Sequence, residues 1–303
     1  MTENVYFDDI KRNHRHCPNA DVYVAGYPCP SFSKLGRKAG VQDPRGMIPL
    51  EGLKYISETR PRVVVLEQVS AICQAKHKKV FDFIKKTLAR LNYTFDLRVF
   101  NTRHYGVPQS RPRMYLVAIV KESLIRKLSL PDPRQSHTDM HHFLDKRLVG
   151  QEVLDLPRYQ EKLGDRLWKY GYILDIGSST QFQSPMHNCC PCLTKERLKS
   201  AGFYIPKLRR RLSTSEAAAF QAVPPQVCAA MEGAAKAGKL PKNFVAAAVG
   251  DAMSIHVLML VLRCGLDASG LTNLGPKRDY WLQVPAGEAS ARLSQRLFEK
   301  YHP

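Results

Sequence analysis

The chain has 303 residues, of which 44% are hydrophobic and 24% are charged. This composition suffices for one large or two modest globular domains and excludes disordered and collagen-like chains. We expect no membrane span, since no apolar run approaches roughly 18 residues, and no signal peptide. The 46 Lys and Arg residues against 27 Asp and Glu residues give a net charge of +19, which favours binding to a phosphate backbone.

Three short apolar runs are predicted to be strands of a parallel α/β sheet: Asp21–Ala25, Arg62–Leu66 and Met114–Val120. The second run is continuous and β-branched, as expected of a strand that is buried on both faces. Between Val80 and Tyr93 apolar residues recur with the helical period, which predicts an amphipathic helix with Lys and Arg on its outer side. Strands that alternate with helices are typical of a parallel sheet.

The composition changes at about Leu130. Residues 131–205 are rich in Pro, His, Gln and Ser and have weak periodicity, which predicts a second, irregular lobe. Helical character returns at Thr214–Ala222 and at Asn243–Arg263, and the latter segment is apolar enough to be buried. The predicted organisation is therefore a first domain made of residues 1–130 and 206–270, the second lobe at 131–205, and a polar tail at 271–303.

The strongest chemical signal is a cysteine that follows the first predicted strand, Cys29 in the segment Gly26–Ser33. In α/β folds this end of the sheet holds ligands and reacting groups. The next strand ends in Glu67, and Arg111 and Arg113 alternate, so we expect both arginines to point to one side of an extended segment. A lone cysteine is more often inert. Together these groups favour nucleophilic attack on a ring. The thiolate attacks, the carboxyl group donates a proton to a ring nitrogen, and the two guanidinium groups hold the polar edge of the ring.

Six segments resemble, in order and spacing, the motifs of the DNA (cytosine-5) methyltransferase family. They are the Pro-Cys catalytic loop at Gly26–Ser33, the Asp-x-Arg-Gly element at Asp43–Gly46, the Glu-Asn-Val motif at Glu67–Val69, the Gln-x-Arg-x-Arg motif at Gln109–Arg113, the motif that supports the recognition lobe at Arg210–Gln221, and the Gly-Asn-Ser-Val motif at Gly250–Met253. Five positions depart from the family pattern: Pro30 replaces Gln, Gln68 and Asp251 replace Asn, and Ala252 and Met253 stand where Ser and Val are usual. The resemblance extends from about Asp8 to Leu262.

The resemblance implies a Rossmann-like, S-adenosylmethionine-dependent methyltransferase fold, with residues 131–205 as the target recognition domain. It implies transfer of a methyl group from S-adenosylmethionine to C5 of a cytosine that is flipped out of DNA. In this reaction Cys29 would add to C6 of the base while Glu67 stabilises the protonated N3. Arg111 and Arg113 would contact the base and support the thiolate.

Further site residues follow from the same resemblance. Cofactor binding is implied for Asp9, Ile10, Pro28, Gly250 and Asp251, and DNA binding for Ser31, Arg45 and Gln109. The basic run beside the recognition lobe is predicted to contact phosphates through Lys207, Arg209, Arg210 and Arg211. No metal site is predicted, because Cys189–Cys192 and His187 lack the second, separated ligand pair of a structural zinc site.

The chain departs from the family at its N-terminal end, where the Phe-x-Gly-x-Gly loop of the cofactor site and the acidic residue after it are missing. We therefore expect that several tens of residues are lacking. Three interpretations follow: a fragment of an active enzyme, one half of a split enzyme that a second chain completes, or a non-catalytic relative that binds nucleic acid or a partner. We favour the first, because Cys29, Glu67 and both arginines are present together.

A neighbouring branch of the family methylates cytosine in transfer RNA with the same residues. Its loop carries Phe-Thr where this chain has Phe32-Ser33, which favours DNA as the substrate. Eight cysteines are too sparse for a disulfide scaffold and predict reduced thiols in an intracellular protein. We expect the protein in the nucleus if its source is eukaryotic, and in the cytoplasm or nucleoid if it is bacterial.

Overall fold

The computed structural model describes residues 17–27, 48–133, 138–145, 148–151, 173–177, 186, 188–241 and 243–272. The chain forms two compact units. The sheet unit contains the described residues up to Phe100, the segment Pro112–Asp132 and the residues from Met259; the second unit contains Asn101–Arg111 and the described residues from Pro133 to Leu258. Buried side chains between Phe203 and Val249 belong to the core of the second unit, and the chain re-enters the sheet unit at Met259.

The secondary structure elements are numbered in chain order. The strands are β1 (Val22–Gly26), β2 (Val63–Val69), β3 (Tyr93–Asn101), β4 (Pro112–Val120), β5 (Leu174–Asp175), β6 (Phe203–Ile205) and β7 (Arg210–Arg211). The α-helices are α1 (Ile48–Thr59), α2 (Lys78–Arg90), α3 (Lys195–Lys199), α4 (Thr214–Phe220), α5 (Pro225–Lys236), α6 (Phe244–Asp251) and α7 (Ile255–Ala268). The predicted strands correspond to β1, β2 and β4, and the predicted amphipathic helix corresponds to α2.

The sheet of the first unit has the strand order β1-β2-β4-β3 and is mixed. β1 runs parallel to β2, with Gly26 opposite Glu67, whereas β4 runs antiparallel to β2. The expectation of a wholly parallel sheet was therefore wrong for β4. The physical reason is the short connection from β3 to its neighbour β4, since parallel neighbours need a crossover of about a dozen residues or more.

Helices cover both faces of β2 and β4. On one face of the sheet, the even-numbered residues of these strands pack with α1 and α2 into a single apolar core. They include Val64, Leu66, Met114, Leu116 and Ala118. On the other face α7 lies so close that a Cβ atom at Gly265 would be 2.9 Å from Cγ1 of Val63 and 3.2 Å from Cγ1 of Val117. The central strands are thus buried on both faces, as their continuous apolar sequence predicts.

The second unit has a core of its own beneath a small antiparallel sheet of β5, β6 and β7. Phe143 and Phe220 stack in this core with their ring centroids 5.0 Å apart. The segment Asn243–Arg263, predicted as one helical stretch, forms two helices, because Ala252 leaves the helical conformation with ψ at 143°.

The longest of the described helices, α7, has 14 residues, whereas a membrane span needs about 20. Taken singly, none of them has the length and apolar content to cross a bilayer. α6 and α7 reach that length and composition only as a pair, and the two are bent by 44°.

Candidate active site

A nearly buried ion pair lies at the carboxyl end of β2, between Glu67 and Arg113. Nε of Arg113 is 3.1 Å from Oε1 of Glu67. Glu67 lies opposite Tyr115 and Arg113 opposite Val69, so the two charged residues are diagonal neighbours on one face of the antiparallel pair β2–β4. Glu67 is only 4% exposed, and a carboxyl group so buried needs a charged or hydrogen-bonded partner. The sheet register therefore fixes this carboxyl group beside a guanidinium group.

The backbone that leads into the predicted catalytic loop begins beside this pair. Gly26 is the register partner of Glu67, and the backbone N–H of Tyr27 donates to the Glu67 carbonyl oxygen at 3.4 Å. Cys29 follows two positions later in the sequence. It lies outside the described residues, together with other predicted site residues: Asp9, Ile10, Pro28, Ser31 and Arg45.

Gln68, which stands where the family motif has Asn, is also buried. Its side-chain Oε1 accepts a hydrogen bond from the backbone N–H of Val69 at 2.8 Å. Gln68 thus holds the end of β2 on the strand face opposite to Glu67, which follows from the alternation of side chains along a strand.

The described partners of the Arg111 side chain lie in the second unit. Its guanidinium group donates to the carbonyl oxygens of Leu193 at 2.7 Å, Ala252 at 2.8 Å and Gly250 at 3.3 Å. The side chain is buried, and the last two acceptors lie at the C-terminal end of α6, where the helix dipole favours a cation. The expectation that Arg111 and Arg113 act on one group does not agree with these contacts. Arg111 holds the backbone of the Gly250–Ala252 turn.

The Gly250–Asp251 turn, which is predicted to bind the cofactor, packs against the start of α3. A Cβ atom at Gly250 would lie 2.5 Å from Cα of Lys195, so only glycine fits this close backbone approach. The exposed carboxylate of Asp251 pairs with Nζ of Lys195 at 2.8 Å. This hydrogen bond raises the pKa of Lys195. Asp251, which stands where the family motif has Asn, is therefore paired with a neighbouring cation, Lys195.

Gln109 was predicted to contact DNA, and the structure places its side chain in the interior of the second unit. The side chain is fully buried, and its Nε2 donates to the carbonyl oxygen of Phe220 at 2.6 Å. Its backbone forms a bridge with Cys190. Gln109 therefore ties its segment to the end of α4 and to the strand-like residues near Cys190, and its Oε1 is buried without a hydrogen-bond partner in the described part of the chain.

The predicted phosphate contacts of the basic run divide into two groups. Arg210 donates to both carboxylate oxygens of Glu216, at 2.7 Å and 2.9 Å, so its charge is paired inside the unit. Nη1 of Arg211 donates to the carbonyl oxygen of Ala201 at 3.0 Å. Lys207 and Arg209 are exposed, and their contact with phosphate stays a prediction.

Glu216 combines a helix cap with the Arg210 pair. It is the third residue of α4, and with Ser213 it forms a capping box in which each side chain binds the other residue's backbone N–H. Burial would raise the pKa of Glu216, but the hydrogen bonds from Arg210 and Ser213 lower it below its ordinary value. The motif around Arg210 thus supports the fold of the second unit.

Sequence reasoning missed two residues that position the site. Lys195 contacts Asp251 across 56 positions of sequence, and nothing in its surroundings signals this contact. Asn101 accepts a hydrogen bond from the backbone N–H of Arg111 through its side-chain Oδ1 at 3.1 Å. An Asn at the end of a strand, ten positions before the motif arginine, was the available signal for the second contact.

Comparisons with known proteins show the family to which the chain belongs. Residues 2–237 match the family model of C-5 cytosine-specific DNA methylases. The chain is 33% identical over 149 residues to the Type II methyltransferase M.SsoII of Shigella sonnei, which is 48% of this chain and 39% of the relative. It is 30% identical over 131 residues to the Type II methyltransferase M.HhaI of Haemophilus parahaemolyticus, which is 43% of this chain and 40% of the relative. The matched part spans about two fifths of the length of these curated relatives.

Solved structures with the same fold confirm the predicted fold class. A protein described as a prophage-encoded DNA modification methyltransferase of E. coli aligns with a TM-score of 0.53 and 16% identity, over 86% of this chain and 82% of that one. The Entamoeba histolytica methyltransferase EhMeth aligns with a TM-score of 0.53 and 15% identity, over 88% of this chain and 82% of that one. Since the family model matches well over half of its residues, the chain belongs to the C-5 cytosine-specific DNA methylases.

Proposed function

We propose that this chain transfers a methyl group from S-adenosylmethionine to C5 of cytosine in DNA, through a covalent adduct on Cys29. The observation that carries the proposal is the Glu67–Arg113 pair, which lies beside the backbone that leads into the Cys29 segment. Family membership and the net charge of +19 support DNA as the substrate.

The chemistry assigns one step to each group. The Cys29 thiolate adds to C6 of a flipped-out cytosine while the carboxyl group of Glu67 gives a proton to N3. Arg113 keeps that carboxyl group in place and stabilises its anion once the proton has left. When bound, S-adenosylmethionine supplies the methyl group. Loss of the C5 proton to a base then expels the thiolate, and N3 returns its proton to Glu67.

Among the residues expected to hold the methyl donor, Gly250 and Asp251 are described, and they fit the group. Asp251 presents an exposed carboxylate, whose oxygens suit the ammonium group of an amino acid. Arg111 fixes the backbone of the same turn through the carbonyl oxygens of Gly250 and Ala252. Arg111 is therefore a positioning residue for the donor in this proposal.

The proposal is tested by transfer of a labelled methyl group to duplex DNA, with the chain assayed alone and together with an N-terminal cofactor-binding segment of a related methyltransferase. Cys29→Ser should abolish transfer, because serine is a far weaker nucleophile at neutral pH. Cys73→Ser is the matched control, since Cys73 is an exposed free cysteine of the same unit, and it should leave transfer unchanged. Transfer that persists in Cys29→Ser would contradict the proposed mechanism.

We propose further that a second chain can supply an N-terminal cofactor-binding segment, as the split-enzyme interpretation requires. Within the described residues β1 pairs only with β2, so it is the edge strand of the described sheet, where a further strand could pair. Calorimetry should detect S-adenosylmethionine binding only after the N-terminal segment is added. Clear micromolar binding by residues 1–303 alone would refute this part of the proposal. The proposed place of action is the compartment that holds DNA, the nucleus in a eukaryote or the cytoplasm or nucleoid in a bacterium.

A further inference from the structure

The outer side of α2 carries a stripe of four exposed residues, three of them basic. At about 100° per residue, these side chains fall within an arc of roughly 60°. They are Lys79, Phe83, Lys86 and Arg90, which we call the α2 stripe. The apolar residues of the opposite side, Phe81, Ile84 and Leu88, are buried in the core of the sheet unit. The α2 stripe is therefore the surface that the helix presents outward.

The basic residues of α2 differ in whether a carboxylate neutralises them. Lys78 and Lys85 both contact Asp82, at 2.5 Å and 2.8 Å, and these hydrogen bonds lower the pKa of Asp82 to about 2. For the three cations of the α2 stripe, no ion pair with any carboxylate in the described part of the chain is formed. Two lysines on the flank are thus balanced, whereas the stripe concentrates uncompensated positive charge.

Phe83 gives the α2 stripe its second property. The side chain is 50% exposed, and it lies about one helical turn from Lys79 on one side and from Lys86 on the other. A single exposed apolar residue is ordinary on a protein surface. An exposed aromatic ring between cations is the combination that binds single-stranded nucleic acid, because the ring stacks on an unpaired base while the cations contact the neighbouring phosphates.

This surface is separate from the Glu67–Arg113 pair within the sheet unit. α2 packs on the even-numbered residues of β2 and β4, which lie on one face of the sheet. Glu67 and Arg113 are odd-numbered and therefore lie on the other face. The sheet therefore lies between the two. We propose that the α2 stripe binds a single strand of DNA as a second nucleic-acid contact of the protein. The choice of DNA over RNA rests on the proposed function, whereas the binding of a single strand by the α2 stripe is inferred independently of that function.

Two double variants test the proposal with equal changes in net charge. In Lys79→Gln/Lys86→Gln the α2 stripe loses two cations, and in Lys78→Gln/Lys85→Gln the flank loses the two that contact Asp82. Fluorescence anisotropy with a labelled single-stranded oligonucleotide should give at least tenfold weaker binding for the first variant and less than threefold for the second. The logarithmic salt slope should flatten by about 1.4 in the first variant, since each contact with a single strand contributes about 0.7.

Phe83→Leu isolates the aromatic contribution, because it keeps an apolar side chain and leaves the charge unchanged. It should weaken binding of the single strand about fivefold and leave duplex binding nearly unaffected. Equal losses in the two double variants would overturn the proposal, since only total charge would then matter. An unchanged affinity in Phe83→Leu, or at least tenfold tighter binding of an RNA of the same sequence, would overturn it as well.

Photocrosslinking locates the contact directly. A single strand that carries 5-iododeoxyuridine should crosslink to the tryptic peptide Val80–Lys85, and Phe83→Leu should remove that crosslink. The sample contains no methyl donor, so failure of methyl transfer would leave this result unaffected. Crosslinks that map only to other peptides would overturn the proposal. The proposal would also be overturned if the DNA strand did not bind while an acidic peptide bound and lost affinity in Lys79→Gln/Lys86→Gln.

Discussion

The carboxyl end of β2 in the sheet unit and the end of α6 in the second unit each depend on an arginine from the same short motif. Arg113 pairs with Glu67 from the neighbouring strand, so the register of the sheet itself makes the contact. Arg111 donates to backbone oxygens that lie 82 to 141 positions away in sequence. One arginine thus serves a charged group that can act on a ligand, and the other holds backbone. Residues two positions apart in a motif need not share a task.

The largest expected effect is on the chemical side of this comparison. Glu67→Gln should lower the rate of methyl transfer by about 10²- to 10⁴-fold, because an amide cannot give a proton to N3. Glu58→Gln, which changes an exposed carboxylate on α1, is the matched control and should keep the full rate. Steady-state kinetics with duplex DNA measures both. A Glu67→Gln protein with an unchanged rate would show that the pair is structural.

The next effect is on the support side. Arg111→Met should lower the free energy of unfolding by about 3 kcal/mol, because buried carbonyl oxygens lose a charged donor. Arg111→Lys should lower it by less, since an ammonium group keeps the charge but lacks the planar fork. Urea denaturation measures both variants. If Arg111→Met unfolds at the urea concentration of the original protein, the assigned role of Arg111 is wrong.

A smaller effect concerns the acid stability of the second unit. Because hydrogen bonds hold the folded-state pKa of Glu216 below the ordinary 4.5, this carboxylate stabilises the fold above pH 4.5. That contribution disappears as the pH falls through the lowered pKa. Urea titrations at pH 7 and at pH 3 should therefore show a loss that is about 1 kcal/mol smaller in Glu216→Gln than in the original protein. Identical losses in the two proteins would contradict the assignment.

The smallest effect is expected at the Lys195–Asp251 contact. Both side chains are about half exposed, and such surface pairs contribute little. Lys195→Ala should change the free energy of unfolding by about 0.5 kcal/mol or less. Calorimetry in the presence of the N-terminal segment measures the effect of Lys195→Ala on the affinity for S-adenosylmethionine. A stability loss as large as that of Arg111→Met would mean that Lys195 also holds the backbone.

The strands that could be predicted are those with continuous apolar sequence. β2 and β4 are buried on both faces, so nearly all of their residues are apolar. Such a continuous run can be recognised in the sequence without knowing how the strand pairs. β3 was missed, because its half-buried residues include Asp96 and Arg98 among the apolar ones. The direction of β4 was also beyond the sequence, since a buried run looks the same in parallel and antiparallel sheets.

The same difference governs the site residues. Glu67 and Arg113 were expected in one site, and the structure brings them together because neighbouring strands carry both. The contacts of Gln109, Arg111 and Arg210 depend instead on the fold of the second unit, whose segments have weak periodicity. A charged or amide side chain gives no sign in the sequence of whether its partner will be a ligand, a carboxylate or a backbone carbonyl group.

The most direct test of the central claim is the identity of the residue that bonds to the target base. The chain, together with an N-terminal cofactor-binding segment and S-adenosylmethionine, is incubated with DNA that contains 5-fluorocytosine, which traps the adduct because fluorine cannot leave as the C5 proton does. Trypsin then releases the peptide His16–Lys34, which contains both Cys17 and Cys29. We predict that fragmentation of this peptide places the modified base on Cys29. A trapped base on Cys17 or on any other residue would contradict the assignment.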